Sequence, residues 1–428
     1  MRIKKILITF EALLLLVVVS LYSSQVFGKQ DGSSREEEKI PGQYIVVLND
    51  NVNDSDLENI FEELSSKHKF EAQLKFKHSI KGFSANISDA DLVELKKDSR
   101  VKFVSEDRVV YADAKANRLA SPQPAQVIPS GVSRMGQTSS TNIGSGVVVA
   151  VLDTVIDFNN PDLSCNVLSV NKSCITLAKN ANDDNGHGTH VAGTIAAINN
   201  SIGVVGVAPS SKLLAVKVLN RSGSGTWSSV ICGIDFVTAN ASKYGIKVAN
   251  MSLGGGGSSD NNCGNTNGDA LHQAICRSVS AGVTYVVAAG NESGNTAMSV
   301  PASYNDAVIT VSALSDSDGK SDSLGAPTSY GADDTFASFS NYGGEIDLGA
   351  PGVNIYSTWK GGGYNTISGT SMASPHVSGA AALYLSTHSG SSWTEVRDNL
   401  ISLGESLNFG HTDPSGLHPE KVLTKNGL

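Results

Sequence analysis

The sequence predicts an α/β protein, a doubly wound parallel sheet preceded by a small α+β domain. Apolar runs at Val147–Leu152, Lys212–Leu219, Val248–Leu253 and Val283–Ala289 have the continuous pattern of strands buried on both faces of a parallel sheet. Helical segments alternate with these runs, which is the chain order such a sheet requires. Ahead of them lies a shorter stretch with its own strands and amphipathic helices. The chain has 428 residues, enough for one large domain and a small one. Its apolar share of 40% is ample for a core and excludes disorder throughout. A net charge of −9 argues against a nucleic-acid surface.

Taken in order, residues 1–28 read as a secretory signal. Arg2, Lys4 and Lys5 form a basic start, Leu13 to Val19 an apolar heart, and Val26-Phe27-Gly28 a cleavage region. Glu11 interrupts the apolar segment and weakens a membrane-spanning reading. The expectation is a secreted, extracellular protein with no membrane association once the signal is removed. Residues 29–43 are polar and charged, a linker. Residues 44–113 form the small domain. Tyr44–Leu48 is its first strand, and Leu57, Ile60, Phe61 and Leu64 mark one helix face. Strands near Gln73–Phe76, at Gly82–Ile87 and at Val101–Val104 flank a second helix carrying Leu92 and Leu95. The order is βαββαβ, which is ferredoxin-like. Residues 114–124 are a second linker, and the main domain spans 125–428.

The five cysteines fit an oxidising compartment. The near pairs Cys165–Cys174 and Cys263–Cys276 are the economical disulfides, with Cys232 a buried thiol in an apolar setting. Gly254-Gly255-Gly256-Gly257 follows a strand but opens into the loop Ser258-Ser259-Asp260-Asn261-Asn262 and not a helix. A dinucleotide site is therefore excluded.

The chemistry centres on Gly369-Thr370-Ser371-Met372-Ala373-Ser374-Pro375-His376. The Ala-rich run after it reads as a helix crossing the interior, with Pro375 expected in its first turn. Ser371 then sits at a helix amino end, where free N–H groups favour negative charge. Asp153 ends the Val147–Leu152 strand, His187 opens another small-residue helix, and Asn291 follows the Val283–Ala289 strand. Each lies at an element end, where connections can gather them.

Asp153-Thr154, His187-Gly188-Thr189-His190, Asn291 and Gly369-Thr370-Ser371-Met372-Ala373 resemble the motifs of subtilisin-like serine proteases, in that family's order Asp, His, Ser. The resemblance runs from about Ala125 to near the end of the chain. It implies a subtilisin-like fold and a self-processed serine endopeptidase of broad specificity. Ser371 would be the nucleophile, His187 the base and Asp153 its partner, with Asn291 and the Ser371 N–H holding the oxyanion. His190 is read as structural.

The resemblance also makes Ser252-Leu253-Gly254 the edge that pairs with substrate backbone. Ala288-Ala289-Gly290 becomes the wall of a roomy, uncharged specificity pocket, with an apolar preference before the scissile bond. It implies a structural calcium held by Gln126, Asp162 and Asn200 with the carbonyls of Ile198, Ile202 and Val204. Residues 44–113 resemble the family's inhibitory propeptide, which also aids folding. Protein and peptide substrates and this propeptide are the expected partners of a monomer. Val300–Pro301 is expected to be cis. Where the family has Gly after Asp-Ser/Thr, this chain has Val155. Two other readings are a secreted binding protein with impaired catalysis and an α/β-hydrolase esterase. The intact four groups argue against the first, and the residue order against the second.

Overall fold

The leading polar segment gives way to a strand that starts at Lys39, ahead of the expected Tyr44, because Lys39 finds a partner in Arg108. The computed structural model describes residues 37–116, 123–136, 141–176, 178 and 180–424, and the expected signal at 1–28 lies outside them. The small domain's elements are β1 (Lys39–Leu48), α1 (Leu57–Lys67), β2 (Ala72–Phe76), β3 (Gly82–Asn86), α2 (Asp89–Leu95) and β4 (Val101–Ala112). Its antiparallel strands stand in the order β4-β1-β3-β2. Side chains alternate across such a strand. Val46, Leu48, Phe83 and Ala85 therefore pack on Phe61, Leu64 and Leu95 of the two helices, while Ile45 and Val47 face the other way.

The chain continues through β5 (Lys115–Ala116), α3 (Ser130–Arg134), β6 (Val148–Asp153), β7 (Val167–Ser173), α4 (His187–Ala196), β8 (Lys212–Lys217), β9 (Ser224–Thr226) and α5 (Trp227–Tyr244). Next come β10 (Ile246–Met251), β11 (Leu253–Gly256), α6 (Ala270–Ser280), β12 (Thr284–Ala288), β13 (Ser299–Val300), β14 (Val308–Ser315) and β15 (Thr335–Phe336). Last are β16 (Leu348–Pro351), β17 (Ile355–Trp359), β18 (Gly363–Ser368), α7 (Thr370–Thr387), α8 (Trp393–Leu403) and β19 (Lys421–Val422).

The large sheet runs β19-β16-β14-β12-β10-β6-β8-β7, and its strand pairs along that path are parallel. Val149 and Val151 of β6 face the core shared with α4 and α7, whereas Val148, Ala150 and Leu152 face that of α5 and α6. This is the doubly wound arrangement. From β6 the chain builds outward first toward β7 and then toward β19, so the strand order reverses beside β6. The carboxyl end of such a switch strand is where open α/β sheets place ligands, and Asp153 stands there.

The small domain docks on α5 through carboxylates at both ends of the contact. Asp107 of β4 accepts hydrogen bonds from Ser228 N and Oγ at 3.0 and 2.5 Å, in the first turn of α5, where orphan N–H groups need acceptors. In return Asp235 of α5 accepts from Lys77, His78 and Ser79 N–H at 3.1, 2.6 and 2.7 Å.

One disulfide differs from the sequence expectation. Cys263–Cys276 forms, but Cys174 pairs with Cys232, Cα atoms 5.9 Å apart, and Cys165 is a free exposed thiol. Strand β7 separates Cys165 from Cys174, and its seven residues carry the chain roughly 20 Å. That travel brings Cys174 to α5 and Cys232. No helix among the described residues is long and apolar enough to cross a membrane.

Candidate active site

Asp153 is fully buried at the end of β6, and both its carboxylate oxygens lie against His187 Nδ1, at 2.8 and 2.9 Å. His187 opens α4. The helix closes this tightly because Gly188 has no side chain, since a Cβ there would lie 2.7 Å from Val155 Cα and 3.0 Å from Asp153 Oδ1. Val155 has no positive φ, and the Thr154–Val155 peptide is cis. Behind the histidine, Asp183 accepts from Gly186 N at 2.9 Å, Thr189 N at 3.0 Å and Thr189 Oγ1 at 2.6 Å, which anchors the amino end of α4. Buried Lys217 donates to Thr154 O and to Asp184 Oδ1, tying the aspartate's strand to the histidine's loop. Burial works against a charged His187. The Asp153 carboxylate and its hydrogen bond, helped by Asp113 and Asp183, outweigh it and hold the imidazole above its ordinary pKa.

Ser371 is buried in the first turn of α7, on the far side of the switch point. Its Oγ donates to Ser252 O at 3.0 Å, and His187 Nε2 has no hydrogen-bond partner among the described residues. Pro375 lies inside α7, beyond the first turn where it was expected. A proline there cannot donate to the carbonyl four residues back. That carbonyl belongs to Ser371, and it accepts instead from Ser252 Oγ at 2.9 Å. The nucleophile and the substrate edge are thus pinned to each other.

Asn291 lies just beyond β12. Its Oδ1 accepts from Thr370 N at 2.9 Å and Thr370 Oγ1 at 3.0 Å, which commits the amide oxygen and leaves the Nδ2 side to donate. His190 is buried beside the site, with Nε2 on Ile355 O at 2.9 Å, and burial pushes it down to about 3. That fits its expected structural part.

The end of β4 fills the groove. It pairs antiparallel with β11 through Leu253↔Ala112 and Gly254↔Tyr111. On its other side β9 pairs with Val109, Val110 and Tyr111. Asp113 N donates to Ser252 O, and Ser371 N donates to Asp113 O, each at 3.4 Å. Gly369 permits this approach, because a Cβ there would stand 2.3 Å from Asp113 O. Asp113 borders a pocket that is also lined by Gly254, Ala288, Ala289, Gly290, Glu292 and Val300, with Val300–Pro301 cis as expected. Beyond Asp113, β5 pairs with Ile367 and Ser368 of β18, so the segment expected as linker starts as a strand.

The side chains of the proposed calcium ligands Gln126, Asp162 and Asn200 also meet, while Ile198, Ile202 and Val204 make their contacts there through N–H groups. Asp162 accepts from Asn200 Nδ2 at 2.7 Å, Val204 N at 2.9 Å and Tyr364 OH at 2.9 Å. Gln126 Oε1 accepts from Asn200 N at 2.6 Å, Ile202 N donates to Asn200 Oδ1 at 2.7 Å, and Ile198 N to Asp162 O at 2.9 Å. Burial holds the Asp162 carboxyl above its usual pKa, since its partners carry no charge. A desolvated carboxylate with the amide oxygens of Gln126 and Asn200 nearby is a donor set of the kind a hard cation takes, and in this structure those oxygens accept from N–H groups instead.

Sequence reading missed β9, Asp183 and Lys217, and gave no part of its own to Thr370. Asp183 carried a signal, an acid a few residues ahead of a helix-opening histidine. The three residues of β9 carry none.

Comparison with known proteins identifies the family. The Subtilase family pattern matches residues 144–413, and that of the peptidase inhibitor I9 family matches residues 43–113. Subtilisin NAT of Bacillus subtilis subsp. natto is 37% identical over 423 residues, covering 96% of this chain and 97% of that one. An alkaline protease of Shouchella clausii is 38% identical over 366 residues, 85% of this chain and 82% of its own. The crystal structure of a cold adapted subtilisin-like serine proteinase superposes with a TM-score of 0.57 at 34% identity, covering 69% of this chain and 97% of that one. With both patterns in this order and relatives matched nearly end to end, the chain belongs to the subtilase family, a serine endopeptidase that carries an inhibitor-type propeptide ahead of its catalytic domain.

Proposed function

We propose that the protein is a secreted endopeptidase of broad specificity that cuts itself free of residues 44–113 through Asp153, His187 and Ser371. Ser371 Oγ turns from Ser252 O to attack the Asp113 carbonyl carbon, and His187 Nε2 takes its proton. The Ser371 N–H and Asn291 Nδ2 hold the oxyanion. His187 then returns the proton to Ala114 N as that amine leaves, and water releases the acyl group. Asp153 keeps the imidazole in the tautomer whose Nε2 can accept.

The observation that carries this reading is the contact of Asp113 O with Ser371 N, made by a tail that pairs on both sides like a bound substrate. The pocket's wall of Gly254, Ala288, Ala289, Gly290 and Val300 favours a medium or large apolar residue before the scissile bond in other substrates, and Glu292 in the same lining adds tolerance for a basic one. Asp113 suits that wall poorly, but a tail held in place needs little affinity from one side chain. The residues around Asp162 would hold a calcium ion, which supplies structural support and no chemistry. Residues 1–28 support export, and the reading includes a monomer.

Ser371→Ala tests the proposal. The purified variant should keep Tyr44–Asp113 covalently attached, as read by mass spectrometry, while the unaltered protein loses it. A Ser371→Ala protein that releases a folded domain starting near Ala125, with no other protease present, would sink the reading.

A further inference from the structure

Before it reaches the cut, the tail carries one large charged side chain over the catalytic domain. Arg108 is the sixth residue before the Asp113–Ala114 bond. Its guanidinium carbon stands 4.3 Å from the centroid of the Trp227 ring, a cation–π geometry. Trp227 opens α5 and is 1% exposed with the tail in place, and the arginine covers one face of its ring. The guanidinium also reaches the backbone just past β11, where a Cβ on Gly257 would lie 3.3 Å from Arg108 Nη1.

The contact borders a recess of about 440 Å³, lined on the catalytic side by Trp227, Ser258, Asn267, Gly268 and Asp269. Asp269 is buried, and its carboxylate accepts from Leu271 N, His272 N and Tyr304 OH. Burial raises its pKa, and the charge of Arg108 acts in the opposite sense, favouring the carboxylate. The propeptide offers Arg108 a further partner in Glu37, at 3.1 Å, but that side chain is 41% exposed, and exposed pairs contribute little. Glu37 leaves with the propeptide. The indole, the glycine backbone and the Asp269 carboxylate stay.

We infer that the mature enzyme holds a subsite for a guanidinium group, which selects arginine six residues before the scissile bond. This rests on the proposed reading of β4 as a bound substrate. Arginine is favoured over lysine because a planar, weakly hydrated guanidinium stacks on an indole. The strand register delivers it. A substrate paired with β9 and β11 as β4 is must pass its sixth residue over Trp227.

The test uses mature enzyme and a peptide series with one apolar residue before the cut and Arg, citrulline, Ala or Glu at the sixth position. Arg should exceed citrulline, its neutral isostere, by about 3- to 10-fold in kcat/KM. Most of that gain should lie in KM and shrink as salt is raised, with Glu the poorest substrate. The Arg-to-Ala ratio should fall toward one in Trp227→Leu and in Asp269→Asn, the latter keeping an acceptor at the helix cap. A ratio within one protein does not depend on how much of it folds. Equal kcat/KM across the series, or an arginine preference kept in both variants, would overturn the subsite. If unaltered enzyme cuts none of the peptides at the intended bond, the substrate-like reading of β4 is what falls, and the subsite with it.

Discussion

The two halves of the active site are finished to different degrees. In the acid–base half, Asp153, His187, Asp183 and Lys217 are all buried, Asp153 bonds His187, and Asp183 and Lys217 anchor the flanking backbone through hydrogen bonds that owe nothing to the tail. In the nucleophile half, Ser371 Oγ rests on Ser252 O, and the Ser371 N–H finds its acceptor in the tail itself. The core fixes the base ahead of time, whereas the oxyanion side is completed by whatever enters the groove. Preorganised donors stabilise charge at no reorganisation cost when the reaction comes. Here that preparation is uneven, and the difference can be measured.

The largest effect should come from the nucleophile half. Asn291→Ala should lower kcat by roughly 10²–10³-fold with KM nearly unchanged, a magnitude taken from subtilisin itself and not from this chain. Unaltered turnover would remove Asn291 from the oxyanion site. The acid–base half should answer in pH instead. His187 must be neutral to act as a base, so activity falls as pH drops through its raised pKa. Asp183→Asn removes a carboxylate that favours the imidazolium, so the acid limb of kcat/KM should move to lower pH. A limb that stays in place would mean the charge of Asp183 is not felt.

The mildest effect should fall on the link between the halves. Asp162 follows β6, Tyr364 lies on the strand leading to Ser371, and the two side chains touch at 2.9 Å. Calcium should raise the Tm, by about 2.7 kcal/mol of stability at a hundredfold excess over Kd. The Asp162→Ala, Asn200→Ala double variant should lose most of that rise. An equal calcium effect in the double variant would place the ion elsewhere.

The sequence exposed the acid–base half more fully than the groove. Asp153 and His187 end or open elements with strong apolar patterns, so their positions follow from local periodicity. Ser371 was equally legible, but the consequence of Pro375 was not. Its missing N–H matters only because Ser252, far away in sequence, takes up the freed carbonyl. β9 is extended because β4 lies beside it, and nothing in Ser224-Gly225-Thr226 marks a strand by itself. The Cys174–Cys232 pair has the same origin, since β7 sets how far the chain travels before it can close a bridge. Local physics located the elements, and contacts between distant segments decided what their ends do.

The threading of β4 and β5 through one groove also bears on kinetic order. The bond to be cut and the groups proposed to cut it belong to a single molecule, so the first turnover needs no encounter. Its half-time should not change on dilution, and a rival peptide must displace a strand already seated rather than fill an empty groove. Every later cut is a second-order event, subject to concentration and to competition. The same serine therefore works under two rate laws, and the passage from one to the other is the departure of the tail.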